Sequence, residues 1–187
     1  MNAFTPSMVM AILPEILLLT LVFLVLIFEL IWKKEDGRNL GWLTAGGLLL
    51  ILVVSAFLGK PAEASTVFGG MLRYDALGFI FKMLFIFGAM LTALFMMDSE
   101  KLGQRGESYI LLLVATIGMN LMATSADLIM LYLAIETTSI PMYILAGFMR
   151  DDEKSTEAGL KYLLFGAMAS TVMLYGFSLI FGFSGST

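Results

Sequence analysis

The sequence predicts an all-α protein, a polytopic bundle of transmembrane helices that forms a single domain. Of its 187 residues, 59% are hydrophobic and only 14% are charged, and its mean hydropathy is +0.93. An ordinary soluble domain is about half apolar and about a quarter charged. Six apolar segments are long enough to cross a bilayer. They run from about Val9 to Trp32, Leu40 to Leu58, Ala76 to Met97, Tyr109 to Thr124, Asp127 to Phe148 and Glu157 to Phe181.

The composition excludes several kinds of chemistry. The chain has no cysteine and no histidine, so it lacks the thiolates that hold iron–sulfur clusters and the usual ligands of zinc, copper or haem. We therefore expect no metal site, and any proton transfer would depend on carboxylates, lysines and water. The net charge of −4 argues against a nucleic-acid partner.

The first span is predicted to be a retained helix rather than a signal peptide, because it has neither a basic leader nor a small-residue cleavage site. Glu29 lies one turn before Lys33, which predicts a local pair. Glu15 lies about as far from the membrane surface as Lys82 of the third span. These two side chains could pair across helices, or Lys82 could instead reach outward to Asp75.

The basic residues predict how the spans are oriented. The first, third and fifth loops hold seven of the eleven lysines and arginines, whereas the other extramembrane segments hold only Lys60 and Arg73. By the positive-inside rule, the basic loops face the cytoplasm and both ends of the chain lie on the non-cytoplasmic side. Only a Ser-Ala turn separates the fourth and fifth spans, so these must form an antiparallel hairpin, and Asp127 is expected to cap the fifth helix.

Glu136 is the strongest functional candidate, because it lies in the middle of the fifth span. At about 1.5 Å per residue that span is about 33 Å long, which places the carboxylate near the membrane midplane. A charge there costs about 2.5 to 3.5 kcal/mol and by default marks a functional site. Thr137, Thr138 and Ser139 add hydroxyls. Pro141 has no N–H for the carbonyl of Thr137, so a kinked polar spot that could hold water is expected. The alternative is a neutral acid that bonds to a neighbouring helix.

The last span contains a second ionisable group, Lys161. Glu157 lies one turn earlier, which favours a local pair with the amine reaching the interface. By the helical rise, Lys161 is about 6 to 9 Å deep and Glu136 about 18 Å deep. That gap is too long for a salt bridge but short enough for a few waters, so the two residues could form a proton half-path. The supporting candidates for this path are Lys82, Glu15, Thr137 and Pro141.

Three stretches in the second half of the chain carry a resemblance. They are IETTSIPMYILAGF around Glu136, the loop RDDEKSTEAGLKY, and LLFGAMAS with the following LYGFSLIFG. From Glu107 onward the sequence resembles subunit N (subunit 2) of the proton-pumping NADH:quinone oxidoreductase, respiratory complex I. Earlier segments resemble it more loosely, through LPEILL in the first span and YDALGFIFK in the third.

The resemblance implies an antiporter-like membrane-arm subunit that contributes to redox-coupled proton translocation. It matches Glu136 to the family's fifth-helix glutamate and Lys161 to the lysine of the STEA-x-LKY motif. It further implies that this chain holds no redox site and no cofactor, and that NADH, FMN, iron–sulfur clusters and quinone belong to other subunits. The expected partners are the other membrane subunits of complex I, the lipid bilayer and protons. The expected location is the bacterial cytoplasmic (inner) membrane.

The family's subunit has many more helices, including a broken seventh helix with a central lysine. We therefore expect this chain to be the amino-terminal portion of a longer subunit, with the principal lysine partner of Glu136 outside it. Two alternatives stay open. One is a subunit of a multi-subunit cation/proton antiporter, with the same half-path and no redox partner. The other is a structural or assembly subunit without its own proton path. The STEA-x-LKY and LYG-x-SL stretches favour subunit N.

Overall fold

The computed structural model describes residues 6–32, 37–61, 63–99 and 101–187. It confirms the all-α bundle, with six helices long and apolar enough to cross a membrane. The helices are α1 Pro6–Ala11, α2 Leu13–Ile31, α3 Gly37–Leu58, α4 Ala76–Met96, α5 Gly106–Thr124, α6 Leu128–Ala146 and α7 Glu153–Ser184. Two short strands, β1 Ser65–Val67 and β2 Leu72–Tyr74, lie between α3 and α4. The long helices α2 to α7 correspond to the six predicted spans.

The prediction of one continuous helix from Val9 to Trp32 is wrong. The structure interrupts it at Ile12, where φ is −109° and ψ is 13°. Pro14 explains the interruption, because proline lacks the N–H that would continue the first helix but fits the first turn of a new one. Ile16 N–H donates to Ile12 O at 3.0 Å at the start of α2. The carbonyl groups that end α1 are therefore available to donors from outside the helix.

The connection between α3 and α4 contains a β-hairpin that the sequence analysis did not predict. β1 and β2 pair antiparallel. Gly69 and Gly70 have φ of 68° and 97°, values that glycine adopts without a side-chain penalty, and so they allow the chain to turn back tightly. Ala126 N–H donates to Met71 O at 2.9 Å, which attaches the hairpin to the α5–α6 turn. We call this side of the bundle the hairpin end.

The loops rich in lysine and arginine lie at the opposite end of the bundle, which we call the basic end. The Arg105 guanidinium lies 5.5 Å from the centre of the Phe148 ring, so the α4–α5 connection touches the chain that leaves α6. The exposed basic side chains at this end are Arg38, Lys101, Arg105, Arg150 and Lys154. Lys33 and Lys34 lie outside the described residues. That the basic end faces the cytoplasm stays a prediction.

Glu29 of α2 helps to fix the start of α5. Glu107 N–H donates to Glu29 Oε1 at 3.2 Å, which satisfies a first-turn donor and places a carboxylate at the positive end of the helix. A Cβ on Gly106 would lie 2.5 Å from Glu29 Cδ, so glycine is needed for this approach. α5 accordingly begins at Gly106, a turn before the predicted Tyr109. Lys33, the predicted partner of Glu29, lies outside the described residues.

α5 is the central helix of the bundle, because it packs against α2, α3, α4 and α6. Its most buried side chains recur every three or four positions, which is one face of a helix. They are Tyr109, Leu113, Thr116 and Asn120, all with no exposed surface. A different face meets α6 through Gly118, where a Cβ would lie 2.6 Å from Thr138 N.

The antiparallel hairpin of α5 and α6 is confirmed, and so is the capping role of Asp127. Met130 N–H donates to Asp127 Oδ1, so the side chain satisfies one of the donors that a helix leaves free at its start. α6 ends at Ala146, slightly before the predicted boundary at Phe148.

α7 begins earlier than predicted and is the most exposed long helix. The Asp152 side chain accepts from Lys154 N–H at 3.0 Å and caps the helix, which therefore starts at Glu153 instead of Glu157. α7 runs to Ser184.

Two glycines bring the backbones of α7 and of the end of α6 into contact. A Cβ on Gly159 would lie 2.6 Å from Gly147 Cα, so the two backbones touch there. Gly159 is also the residue of α7 that the described structure buries. α7 is therefore held against α6 near the basic end.

Candidate functional site

Glu136 lies near the middle of α6, and its side chain is half-buried. Its Oε1 atom is buried and has no hydrogen-bond partner among the described residues. None of the salt bridges within those residues includes it. A buried polar atom left without a partner costs about 1–3 kcal/mol, and more when it is charged. The carboxylate therefore needs a proton, a water molecule or a partner from outside the described chain.

The threonine hydroxyls beside Glu136 are used by the helix itself. The hydroxyls of Thr137 and Thr138 donate to carbonyl oxygens one turn earlier, at 2.7 Å and 3.0 Å, as threonine commonly does in helices. α6 continues through Pro141, which removes one backbone donor without ending the helix. The expected polar spot is therefore smaller than predicted, because both threonines give their protons to backbone carbonyls.

Lys161 of α7 forms an ion pair with Glu157 and not with Glu136. Its Nζ contacts Glu157 Oε1, and both side chains are mostly exposed. Gly147 and Gly159 mark the depth at which α6 and α7 touch. Counted from there at about 1.5 Å per residue, Glu136 lies about 13 Å deeper than Lys161. The structure does not bring the two predicted proton-path residues together, and a proton could pass between them only through several waters.

Glu15 and Lys82 form an ion pair between α2 and α4, which is the first of the two arrangements that the sequence allowed. Lys82 Nζ lies 2.8 Å from Glu15 Oε1, and the two side chains are 4% and 9% exposed. Lys82 Nζ also donates to Ala11 O at 2.8 Å, a carbonyl made available by the end of α1. Asp75, the alternative partner, accepts from Gly78 N–H at 2.8 Å and caps α4 instead.

The sequence analysis missed two buried polar residues, Ser55 of α3 and Asn120 of α5. Both are fully buried. Among the described residues, the Ser55 hydroxyl and both polar atoms of the Asn120 amide have no hydrogen-bond partner. The available signal was an asparagine within an otherwise apolar span, since polar side chains inside a membrane usually bond to a neighbouring helix.

The fold and the site define a polytopic helical membrane protein with ionisable groups inside its spans, an arrangement typical of proton and ion transporters. Within the described residues, no group of acids is suited to hold a metal ion. Residues 125–187 match the family described as NADH:quinone oxidoreductase/Mrp antiporter, TM. The match covers α6 and α7, and it therefore includes Glu136 and Lys161.

Over nearly its whole length the chain is similar to NADH-quinone oxidoreductase subunit N, as the resemblance implied. It is 44% identical to that subunit of Rhodospirillum rubrum over 178 residues, which are 94% of this chain and 36% of the relative. It is 43% identical to that of Moorella thermoacetica over 175 residues, which are 92% of this chain and 36% of the relative. The chain thus spans about a third of the length of these relatives.

Solved structures share the fold. A chain of respiratory complex I from Thermus thermophilus superposes with a TM-score of 0.74 at 29% identity, over 92% of this chain and 37% of that chain. A chain of the membrane-bound sulfane sulfur reductase, an archaeal respiratory membrane complex, superposes with a TM-score of 0.65 at 23% identity. That alignment covers 94% of this chain and 38% of the other.

Proposed function

We propose that the chain is the amino-terminal portion of an antiporter-like subunit N in the membrane arm of NADH:quinone oxidoreductase, and that it contributes to redox-coupled proton translocation. The observation that carries the proposal is the Glu136 carboxylate at mid-span, whose buried Oε1 has no hydrogen-bond partner among the described residues. The similarity to subunit N supports the choice of complex. NADH, FMN, iron–sulfur clusters and quinone are assigned to other subunits, and this chain has no cysteine to hold a cluster.

In this proposal Glu136 alternates between a carboxylate and a carboxylic acid. It takes a proton from water on one side and returns it to water on the other. A lone carboxylate in a medium of low dielectric responds strongly to nearby charge. A cation that approaches favours the carboxylate, and its withdrawal favours uptake of a proton. Redox chemistry elsewhere in the complex would drive that movement of charge.

Lys161 acts at the basic end. Its contact with Glu157 holds the amine near the membrane surface. From there the amine can pass protons inward through about 13 Å of water, a distance set by the helical rise, or set the charge that Glu136 experiences. Thr137 and Pro141 have a smaller part, since they shape the backbone around Glu136.

We assign the protein to the bacterial cytoplasmic (inner) membrane. The lysines and arginines of the basic end support a cytoplasmic location for that end, with both ends of the chain on the other side. The partners in this assignment are lipid, protons and the other membrane subunits of the complex.

The test is Glu136→Gln in the full-length subunit of the assembled complex. Glutamine keeps the shape of the side chain but cannot carry the proton, so proton translocation per NADH oxidised should fall by about tenfold or more. Assembly, followed by native gel electrophoresis, should not change. The matched control is Glu107→Gln, which removes an exposed acid at the basic end. Glu136→Asp, which keeps an ionisable group, should retain part of the activity. Normal translocation by Glu136→Gln in an intact complex would contradict the proposal.

One alternative function has a specific observation in its favour, because the matching family also includes Mrp antiporters. A subunit of such an antiporter would use the same half-path with no redox partner. Proton movement that follows an imposed cation gradient, and not NADH oxidation, would favour it. A structural subunit predicts instead that Glu136→Gln leaves both assembly and transport intact. The intact mass of the native subunit tests the proposed length directly.

A further inference from the structure

Four helices each place a buried polar side chain at the same depth, on the side of α5 away from α6. The contact between α4 and α5 gives the depth of two of these side chains. A Cβ on Gly78 would lie 2.7 Å from Thr124 Cγ2, so these two residues face each other. One turn further from the hairpin end, the corresponding positions are Lys82 on α4 and Asn120 on α5. These side chains therefore occupy facing positions across the contact.

α3 and α2 contribute the other two buried polar side chains. A Cβ on Gly59, just after α3, would lie 3.5 Å from Phe79 of α4. One turn inward, Ser55 on α3 is level with the turn of α4 that holds Lys82. Glu15 joins from α2 through its ion pair with Lys82. We call Glu15, Ser55, Lys82 and Asn120 the ion-pair cluster.

The ion-pair cluster contains more hydrogen-bonding groups than hydrogen bonds. Among the described residues, both Glu15 oxygens, the Ser55 hydroxyl and both polar atoms of the Asn120 amide have no hydrogen-bond partner. Lys82 Nζ is only 2.8 Å from Glu15 Oε1, but the contact lacks the angles of a hydrogen bond and acts through charge. Buried polar groups that protein atoms leave unsatisfied are the places where proteins hold ordered water.

A small cavity lies between Lys82 and the hairpin end. It offers about 10 Å³ for the centre of a water molecule, which is room for roughly one water. Arg73, Tyr74 and Asp75 line it together with Lys82, and Arg73 is exposed. Burial raises the pKa of Tyr74, so its hydroxyl stays protonated and donates to Gly59 O at 3.1 Å. The amine and the polar groups of the hairpin end thus border the same cavity, and apolar residues such as Met10 and Phe79 complete its lining.

We infer that the ion-pair cluster is a second proton-exchange site, hydrated and open towards the hairpin end. A metal cation fits it poorly, because the Lys82 ammonium lies 2.8 Å from Glu15 and would repel a second cation. Water fits it, because Ser55 and Asn120 supply the donors and acceptors that a water molecule needs. The inference rests on the proposed function, since the proton exchanged here would be one that the complex translocates.

The proton transfer balances without any other reactant. Lys82 Nζ gives a proton to a Glu15 oxygen, which leaves a neutral amine beside a neutral carboxylic acid and keeps the net charge at zero. Glu15 then gives that proton to the water held by Asn120 and Ser55. Lys82 recovers a proton from the water in the cavity. The cavity water regains its proton from solvent at the hairpin end, and the water at Asn120 passes its extra proton to further water of the translocation path, so one proton has crossed the site. The reverse sequence moves a proton the other way.

The first test is a map of the assembled complex by electron cryomicroscopy at a resolution that shows ordered water. We expect water density at about 2.7 to 3.2 Å from the Asn120 amide and the Glu15 carboxylate. Direct bonds from Asn120 to Glu15 or Lys82, with no water density between them, would overturn the inference.

The second test uses charge-balanced variants in the full-length subunit. The double variant Glu15→Gln with Lys82→Met keeps the side-chain volumes and leaves no buried unpaired charge, so the complex should assemble. Proton translocation per NADH oxidised should be lost in large part. The exchanged pair Glu15→Lys with Lys82→Glu keeps two ionisable groups and should recover part of that loss. Full translocation by the neutral double variant would overturn the inference.

Asn120→Leu tests the cluster without touching either charge. It removes the amide that would hold water while keeping the volume, so translocation should fall with assembly intact. The matched control is Thr116→Val on the same face of α5, where the hydroxyl is already satisfied by Leu112 O at 2.8 Å. Normal translocation by Asn120→Leu would overturn the inference even if the double variant failed to assemble. Glu136→Gln measured in parallel separates the two ideas: if it alone lowers translocation, only the ion-pair cluster is refuted, and if it does not, the proposed function fails.

Discussion

The two halves of the bundle hold an intramembrane acid in opposite ways. In the half formed by α2 to α5, Glu15 lies 2.8 Å from Lys82 and both side chains are buried. In the half formed by α6 and α7, Glu136 has a buried oxygen with no hydrogen-bond partner among the described residues. In the first half, α5 packs against α2, α3 and α4. A charge can be buried there only together with its counter-charge. In the second half, the described part of α7 buries one glycine, Gly159.

The comparison separates a neutral site from a charged one. An ion pair has no net charge, so distant charges act on it weakly, whereas a lone carboxylate responds to every charge nearby. Removing one member of the pair leaves the other buried and uncompensated, which should damage the fold. Neutralising Glu136 removes a charge that no described side chain compensates, which should spare the fold and damage transport. The predictions below test this difference, beginning with the largest effect.

Lys82→Met should be the most destabilising single change. It leaves the Glu15 carboxylate buried without its counter-charge, and breaking such a pair costs about 3–5 kcal/mol. The free energy of unfolding can be measured in mixed micelles by titration with a denaturing detergent. Lys101→Met is the matched control, because Lys101 is exposed in the α4–α5 connection. If both variants lose equally little stability, the comparison between the two halves does not hold in the membrane.

Gly159→Ala should loosen the second half by separating α7 from α6. The new Cβ would lie 2.6 Å from Gly147 Cα, and backbone cannot move aside as a flexible side chain can. Overpacking of this kind costs about 1–3 kcal/mol. Gly176→Ala in the same helix is the control, since no atom lies within 4 Å of that Cβ position. Gly176→Ala should be neutral or stabilising, because alanine is about 1 kcal/mol more favourable than glycine inside a helix. Equal melting temperatures for the two variants would show that the glycine contact is not tight.

The spans could be predicted from the sequence because a helix in lipid must satisfy its own backbone and present apolar side chains for its whole length. The cap at Asp127 and the short α5–α6 turn could also be predicted, because both depend on residues adjacent in the sequence. The interruption at Ile12 and the hairpin after α3 were not predicted, because the spans were drawn from hydropathy, which does not register the effect of Pro14 on the backbone. Glycine pairs such as Gly69-Gly70 gave a signal for the hairpin that hydropathy does not detect.

The site was predicted only in part. Glu136 was found because a charge within an apolar run is conspicuous, and its role stays a prediction. The choice between Asp75 and Glu15 as the partner of Lys82 required knowledge of which helices touch, which hydropathy does not contain. Asn120 was missed because the search of the spans looked for charged residues, although a fully buried amide with no hydrogen-bond partner among the described residues is a costly feature.

Glu157→Gln should have the smallest effect and tests where Lys161 belongs in the comparison. The Glu157–Lys161 contact is an ion pair, as in the first half, but both side chains are mostly exposed. Exposed pairs one turn apart contribute only about 0.3–0.5 kcal/mol, so the free energy of unfolding should hardly change. Proton translocation should also persist, because the amine remains. Lys161→Met, measured beside it, should lower translocation if the amine passes protons towards Glu136. Equal losses in the two variants would instead make the pair the functional unit, because the amine would then depend on its neighbour's charge.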